Sequence, residues 1–444
     1  MTRPPMPTLS IHPFLYADQD HVEEGSRYCP GGFCPIRLGE LLGPDASSPR
    51  YRIFAKLGYG AYATVWLAHD QQENKSVALK IVEAASSVNS REAAILERLR
   101  APEGSHVVQL IDAFTHHSAN GGHQVIVTEP VVPLRQFLQL PGVKVDMKDL
   151  LRQALDGLAH IHARGIAHGD LHPSNLGVAI PELRDYNEMD IVLLSNWPEF
   201  FPLISLDPVH DPASFPPYLS TALDIGKFLL RKTPDWVKRA PQLRILDLGN
   251  AYIIEESPRP RCNTPALYVA PEVAFPAAVH KDMNGPWECP ADIWSLAATI
   301  SEMAANAELF WGCGIGSGLL IRMACHCAGA PEEWIQYFAG LPVCKRPRGA
   351  FWERLKIASP LTSIDNFKFT TECADTLWAE HAKHMVERGP GISEEDAEAL
   401  VRLLWRMLVI DPKKRPSALE LLQDPYFLAP VANERTSTDP YVAL

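Results

Sequence analysis

Asp170 and Asn175 stand five residues apart in the tight stretch His168-Gly169-Asp170-Leu171-His172-Pro173-Ser174-Asn175. That spacing lets one side chain sit beside a nucleophilic hydroxyl while the other holds a metal on a phosphate. Upstream, Leu57-Gly58-Tyr59-Gly60-Ala61-Tyr62-Ala63-Thr64-Val65 reads as a glycine-rich hairpin, and Val77-Ala78-Leu79-Lys80 follows on the next strand. A backbone that covers phosphates closely needs glycine where a side chain would collide with them, which accounts for Gly58 and Gly60. Lys80 is then placed to pair with the α- and β-phosphates. Glu92 opens a helical pattern with Ile95, Leu96 and Leu99 on one face and is the carboxylate expected to orient Lys80, with Glu97 as its rival. The chemistry these residues suit is phosphoryl transfer.

The stretch HGDLHPSN resembles the catalytic loop of the protein-kinase fold, HRDLxxxN. Asp247-Leu248-Gly249 stands for the DFG motif, Ala270-Pro271-Glu272 closes the segment after it, and Asp292-Ile293-Trp294-Ser295 and Asp411-Pro412-Lys413-Lys414-Arg415-Pro416 follow in order. The resemblance implies an α+β, bilobal fold with a small β-rich N-terminal lobe and a larger helical C-terminal lobe. It implies ATP and Mg2+ as cofactors, with Lys80, Asp170, Asn175 and Asp247 as the catalytic set and Asn175 and Asp247 as metal ligands. Both aspartates are expected to be ionised near neutrality, since cations keep them company. It also implies that Glu272 pairs with Arg415 and that Asp292 holds the catalytic-loop backbone. Glu129-Pro130-Val131-Val132 fits the hinge, where adenine would bond the Glu129 carbonyl and the Val131 amide. The expected nucleotide contacts are Leu57 to Val65, Ala78, Lys80, Glu92, Glu129 and Val131.

The resemblance narrows further. Asp247-Leu248-Gly249-Asn250-Ala251, the lead-in Gly31-Gly32-Phe33-Cys34-Pro35-Ile36-Arg37-Leu38-Gly39-Glu40-Leu41-Leu42 and Pro290-Ala291-Asp292-Ile293-Trp294-Ser295 are similar to segments of the SR-protein (serine/arginine-rich protein) kinases. So is the long insertion between catalytic loop and metal aspartate, about 72 positions from Asn175 to Asp247 (247 − 175). The chain is identified as a divergent, fungal-like member of that family, which implies a protein serine/threonine kinase acting on basic, arginine/serine-rich proteins. Three residues or segments depart from the pattern. Gly169 replaces the arginine that grips an activation-loop phosphate in many kinases, His172 replaces a lysine, and Thr264 to Val269 differs from the family's arginine-containing loop. Two other readings stay open: a pseudokinase scaffold, and a small-molecule phosphotransferase, whose relatives lack the C-terminal motifs.

Composition bounds these readings. With 444 residues, 46% of them hydrophobic, the chain can bury a full core. It holds no run of eighteen apolar residues, so no membrane partner is expected. Its start leads into no apolar signal region, and nine irregularly spaced cysteines fit a reducing compartment, so a cytoplasmic or nuclear location is expected. A net charge of −12 disfavours direct nucleic-acid binding and favours basic protein substrates; a monomer is expected. Cys325-His326-Cys327 with Cys313 suits a buried thiol cluster better than zinc.

Along the chain, residues 1–50 read as an irregular extension, 51–132 as the small lobe and hinge, 133–428 as the large lobe and 429–444 as a tail. Tyr51 to Leu57, Thr64 to His69, Ser76 to Val82 and Gln124 to Thr128 read as strands. Leu151, Leu155, Leu158 and Ile161 mark one helix; Asp292 to Met303 and Leu400 to Leu408 mark others, the last capped by Ser393. The insertion, about 181–243, carries nine prolines, a density that forbids long regular structure in its middle, and Asp224 to Arg231 reads as a short helix.

Overall fold

The structure is a computed structural model that describes residues 14–15, 21–100, 105–233, 235–282, 285–312, 314–341 and 369–428. The expected tail, 429–444, and Cys313 lie outside the described residues.

Alternating apolar residues build the small lobe as an antiparallel sheet. Its strands run in the order Leu41–Leu42, Tyr51–Tyr59, Ala63–Asp70, Lys75–Val82, Gly121–Thr128, Leu110–Ser118. Tyr51, Ile53, Trp66, Val77, Leu79, Ile81 and Val125 bury one face against Cys34, Ile36 and Leu42 of the lead-in. Ala55, Leu67 and Ile126 turn the other way, toward Ile95, Leu96 and Leu99 of the helix Glu92–Arg98 and its end. The period of two therefore puts Ala78 and Lys80 on the helix side, where a nucleotide cleft would open. Residues 1–50 are thus not irregular throughout, because Leu41–Leu42 joins the sheet edge and Phe14–Leu15 pairs with Ile204–Ser205.

The large lobe is helical, and Cys289–Ala305 is its axis: nearly every residue from Ala291 onward is buried, as befits a helix apolar on all sides. Met147–His162 packs beside it through Leu151, Leu155, Leu158 and Ile161, with Asp146 capping its first turn by accepting from the Lys148 and Asp149 amides. Thr371–Arg388 and Glu394–Met407 complete the packing, the second capped by Ser393, whose Oγ accepts from the Asp396 amide at 3.1 Å.

The insertion folds as short pieces: helices Glu188–Leu194 and Ile225–Lys232, and strand pair Phe200–Pro202 with Tyr218–Ser220. It leaves the large lobe and returns to it, yet it packs on the small lobe. Leu203 and Leu219 share a buried cluster with Phe14, Val22, Tyr28 and Phe33. Asn120 Nδ2 donates to the carbonyls of Phe33 at 2.7 Å and Ser214 at 2.6 Å, and the Leu223 amide donates to the Lys56 carbonyl at 2.7 Å. No helix of the described residues is long and apolar enough to cross a membrane.

Two large-lobe histidines are buried between helices. His381 shares a 2.6 Å hydrogen bond with Ser301 Oγ, and His326 contacts Trp378 and Phe310 edge to face. Burial lowers His326 to about 4 and His381 to about 3. The unfolded chain protonates both near pH 6.5, so below that pH it binds more protons than the folded chain. Stability is therefore complete above pH 6.5 and should fall toward pH 4 by up to about 1.4 kcal/mol per pH unit for each histidine. Urea midpoints measured from pH 7.5 to 4.5 should show this slope, and His381→Gln should lower it by up to about 1.4 kcal/mol per pH unit; an unchanged slope would contradict the assignment.

Candidate active site

Three segments meet at Lys80. Its Nζ donates to Glu92 Oε1 at 2.9 Å, Glu92 Oε2 at 2.8 Å and Asp247 Oδ1 at 2.7 Å. Glu92 is the partner because it opens its helix on the buried side. Glu97 lies on the exposed side and pairs with Arg100. Burial opposes the charge of Lys80, but Asp247 and Glu92 outweigh it and hold its pKa above the ordinary lysine value. Enclosure likewise works against Asp247, yet Lys80 and the Gly249 amide hold its carboxyl at about 2. Burial raises Glu92.

Asp247 adopts a left-handed backbone, φ +55°, which only a few per cent of non-glycine residues do. This strain turns its carboxylate back toward Lys80. Its hydrogen bonds fall on Oδ1, from Lys80 and from the Gly249 amide at 3.2 Å. Oδ2 is thus left as a hard oxygen for a cation. Asn175 donates through Nδ2 to the Asp170 carbonyl at 2.8 Å, which leaves its amide oxygen for the same purpose. Hard oxygen donors from a carboxylate and an amide, beside a cluster with two carboxylates to one ammonium, fit Mg2+. Among the described residues no group of three His, Cys, Asp or Glu is arranged to hold a metal by itself.

The catalytic loop is held from below. Asp292 accepts from the amides of His168 and Gly169, each at 2.8 Å, and from His162 Nε2 at 2.9 Å. The ring of His168 spans from the Asp170 amide, 3.2 Å from Nδ1, to the Leu246 carbonyl, 3.0 Å from Nε2. Asp170 then projects with Oδ1 buried and without a hydrogen-bond partner; the His172 ring, whose pKa burial lowers, lies with Nε2 at 3.8 Å. Its pKa is raised, because burial outweighs His172, His168 and Lys80. Cation company thus sets the shift at Asp247 but not at Asp170.

Gly58 and Gly60 pair or turn at the hairpin end: Gly58 lies opposite Val65, and the Gly60 amide donates to the Ala63 carbonyl at 2.8 Å. A Cβ at either would meet no protein atom within 4 Å, so the fold itself does not demand glycine there. At the hinge the Glu129 carboxylate takes Arg244 Nε at 2.7 Å and the Gln109 amide at 3.2 Å. Val131 pairs with Ala179, and the Ile180 amide donates to the Pro130 carbonyl. That pattern makes Val131–Ala179 a pair without mutual backbone bonds, so the Val131 amide points away from the strand beside it.

The segment from Asp247 to Glu272 is anchored at Gly169. The Gly169 carbonyl accepts from Asn250 Nδ2 at 2.8 Å and Thr264 Oγ1 at 2.7 Å. Gly169 has φ +72°, and a Cβ there would lie 2.1 Å from the ring of Trp287, which also donates to the Pro260 carbonyl at 3.2 Å. An arginine here would require Trp287 to move and a strained backbone. Tyr268 stacks on His172 with centroids 5.9 Å apart, donates to Glu302 at 2.5 Å and accepts on its carbonyl from Ser295 Oγ. Glu272 and Arg415 form a bidentate pair at 2.7 and 2.8 Å, with the Arg415 side chain fully buried. Trp287 carried no signal in the sequence, since its role depends on the side chain missing at Gly169.

A model of the protein kinase domain family matches residues 51–181 and 236–427, its gap falling on the insertion. Over 432 residues the chain is 28% identical to the serine/threonine-protein kinase SRPK of Physarum polycephalum, covering 92% of each. It is 32% identical over 188 residues to SRSF protein kinase 3 of Mus musculus, 39% of this chain and 32% of that protein. To protein kinase dsk1 of Schizosaccharomyces pombe it is 33% identical over 176 residues, 36% of this chain and 32% of that one. The matched part thus spans about a third of these last two relatives. The solved kinase domain of PF14_0431 is similar in fold, with a TM-score of 0.53 at 16% identity, covering 89% of this chain and 98% of that one. The chain belongs to the protein kinase domain family, as a serine/threonine kinase of the SR-protein-kinase type.

Proposed function

We propose that the protein transfers the γ-phosphoryl group of ATP, with Mg2+, to serine in basic, arginine/serine-rich segments of other proteins. The observation that carries the catalytic half is Asp170 Oδ1, a buried acceptor without a partner, where a substrate hydroxyl would donate. Asp170 orients that hydroxyl and takes its proton. Lys80, fixed by Glu92, stands ready for the α- and β-phosphates, and Asp247 Oδ2 and the Asn175 amide oxygen are the donors for magnesium. Bound magnesium supplies charge neutralisation on the β- and γ-phosphates. The hinge amide of Val131 and the carbonyl of Glu129 serve the adenine. The substrate half rests on similarity to SR-protein kinases and on the net charge of −12.

Phosphate transfer from ATP to an arginine/serine repeat peptide, in competition with an acidic serine peptide, tests this reading. The repeat peptide should win, its KM should climb with salt because exposed pairs are screened beyond about 10 Å at 0.1 M, and Asp170→Asn should slow transfer by roughly 10²–10⁴-fold. Preference for the acidic peptide would remove the substrate class, and full activity of Asp170→Asn would remove the mechanism.

We also propose that the activation segment needs no phosphate. Asn250, Thr264 and Trp287 already hold it, Gly169 stands in place of a phosphate-gripping arginine, and Arg261 is exposed. Protein made in bacteria and treated with phosphatase should keep the rate of untreated protein; a large loss would contradict this.

A further inference from the structure

The kinase family model begins at residue 51, yet residues before it hold the tip of the glycine-rich loop. Arg27 Nη2 donates to the Ala61 carbonyl, in the turn closed by Gly60 and Ala63, and to Glu83 Oε2 at 2.5 Å. Its guanidinium lies 4.5 Å from the centre of the Phe33 ring, so the planar group is held through Nη2 and over one face. The Glu83 amide in turn donates to the Tyr62 carbonyl at 2.8 Å. The stem of the loop is held as well. Lys56, just before Leu57, is buried and paired with Glu23, whose other oxygen takes the Tyr28 hydroxyl at 2.5 Å.

The lead-in glycines explain how Arg27 arrives there. The Phe33 amide donates to the Arg27 carbonyl at 2.8 Å, and a Cβ on Gly32 would lie 2.0 Å from that oxygen. The Ala84 and Ala85 amides donate to the carbonyls of Gly32 and Gly31 at 3.0 and 2.7 Å. Gly31 and Gly32 thus fold the extension tightly onto the end of the Lys80 strand, and Arg27 reaches the loop tip from that base.

Peptide geometry sets the consequence. In a trans peptide the C=O and N–H point opposite ways. Drawing the Ala61 carbonyl to the Arg27 guanidinium and the Tyr62 carbonyl to the Glu83 amide turns the N–H groups of Tyr62 and Ala63 to the other side of the loop. Successive amides aimed one way make an anion-binding concavity. We propose that Arg27 is a positioning residue for the nucleotide's phosphates, holding the loop-tip amides aimed at them without touching the nucleotide itself. This rests on the reading that the loop covers ATP.

Calorimetric titration of the full chain with magnesium AMP-PNP and, separately, with adenosine tests it. In Arg27→Ala the AMP-PNP dissociation constant should rise roughly tenfold, the loss of one charge-assisted hydrogen bond. Adenosine, which has no phosphates, should bind as before. KM for ATP should rise with kcat affected less, and Arg27→Lys should recover part of the loss. Equal weakening of both ligands, or no change in either, would overturn the assignment. A wild-type chain that binds adenosine but not AMP-PNP would instead overturn the phosphate-covering role of the loop.

Discussion

Lys80, Glu92 and Asp247 tie a strand, a helix and the turn at Asp247 together at one ammonium group. Three charged groups in an enclosed cleft are costly unless each has partners, so the geometry of any one segment depends on the other two. The helix Glu92–Arg98 keeps Glu92 inward only because Ile95, Leu96 and Leu99 seat it against the sheet. Asp247 accepts a left-handed backbone to reach the same ammonium, and Leu248, fully buried beside that helix, holds the turn in place. Two carboxylates against one lysine leave the cluster with a net negative charge. A polyphosphate therefore needs additional positive charge to enter, which is the electrostatic case for divalent cations at this site.

The second constraint is Asp292. A buried carboxylate on the central helix organises two successive amides of the catalytic loop, and from that fixed backbone Asp170 and Asn175 take their positions. Gly169 then presents its carbonyl to Asn250 and Thr264, so the same loop that places Asp170 also fastens the segment that follows Asp247. Catalytic geometry and activation-segment order share one support. The buried Glu272–Arg415 pair closes the far end of that segment onto the large lobe.

The motif residues were legible in the sequence because phosphate and metal chemistry restricts residue types at fixed spacing; Lys80 with Glu92, Asp292 with the loop backbone and Glu272 with Arg415 meet as the resemblance implied. Helices with one strong apolar face, such as Met147–His162 and Glu394–Met407, were legible for the same kind of reason. The strand Leu110–Ser118 was not, since it is an edge strand whose exposed side carries Ala113, Thr115 and His117 in place of a β-branched run. Nor could local pattern show that the insertion packs on the small lobe, because Leu203 and Leu219 find Phe14, Val22 and Phe33 only in three dimensions. The raised pKa of Asp170 came from burial that no count of neighbouring histidines reveals. Arg27 was hidden most completely, as a single surface-type residue in a stretch of chain that reads as irregular.

On the proposed reading, this cleft binds a nucleotide through its phosphates only when divalent cations offset the cluster's negative charge. Thermal unfolding of the full chain with AMP-PNP, with and without Mg2+, measures that directly. Clear stabilisation is expected with Mg2+, about 2.7 kcal/mol at a hundredfold excess over Kd, and little or none when the cation is chelated. Equal stabilisation in both conditions would contradict it.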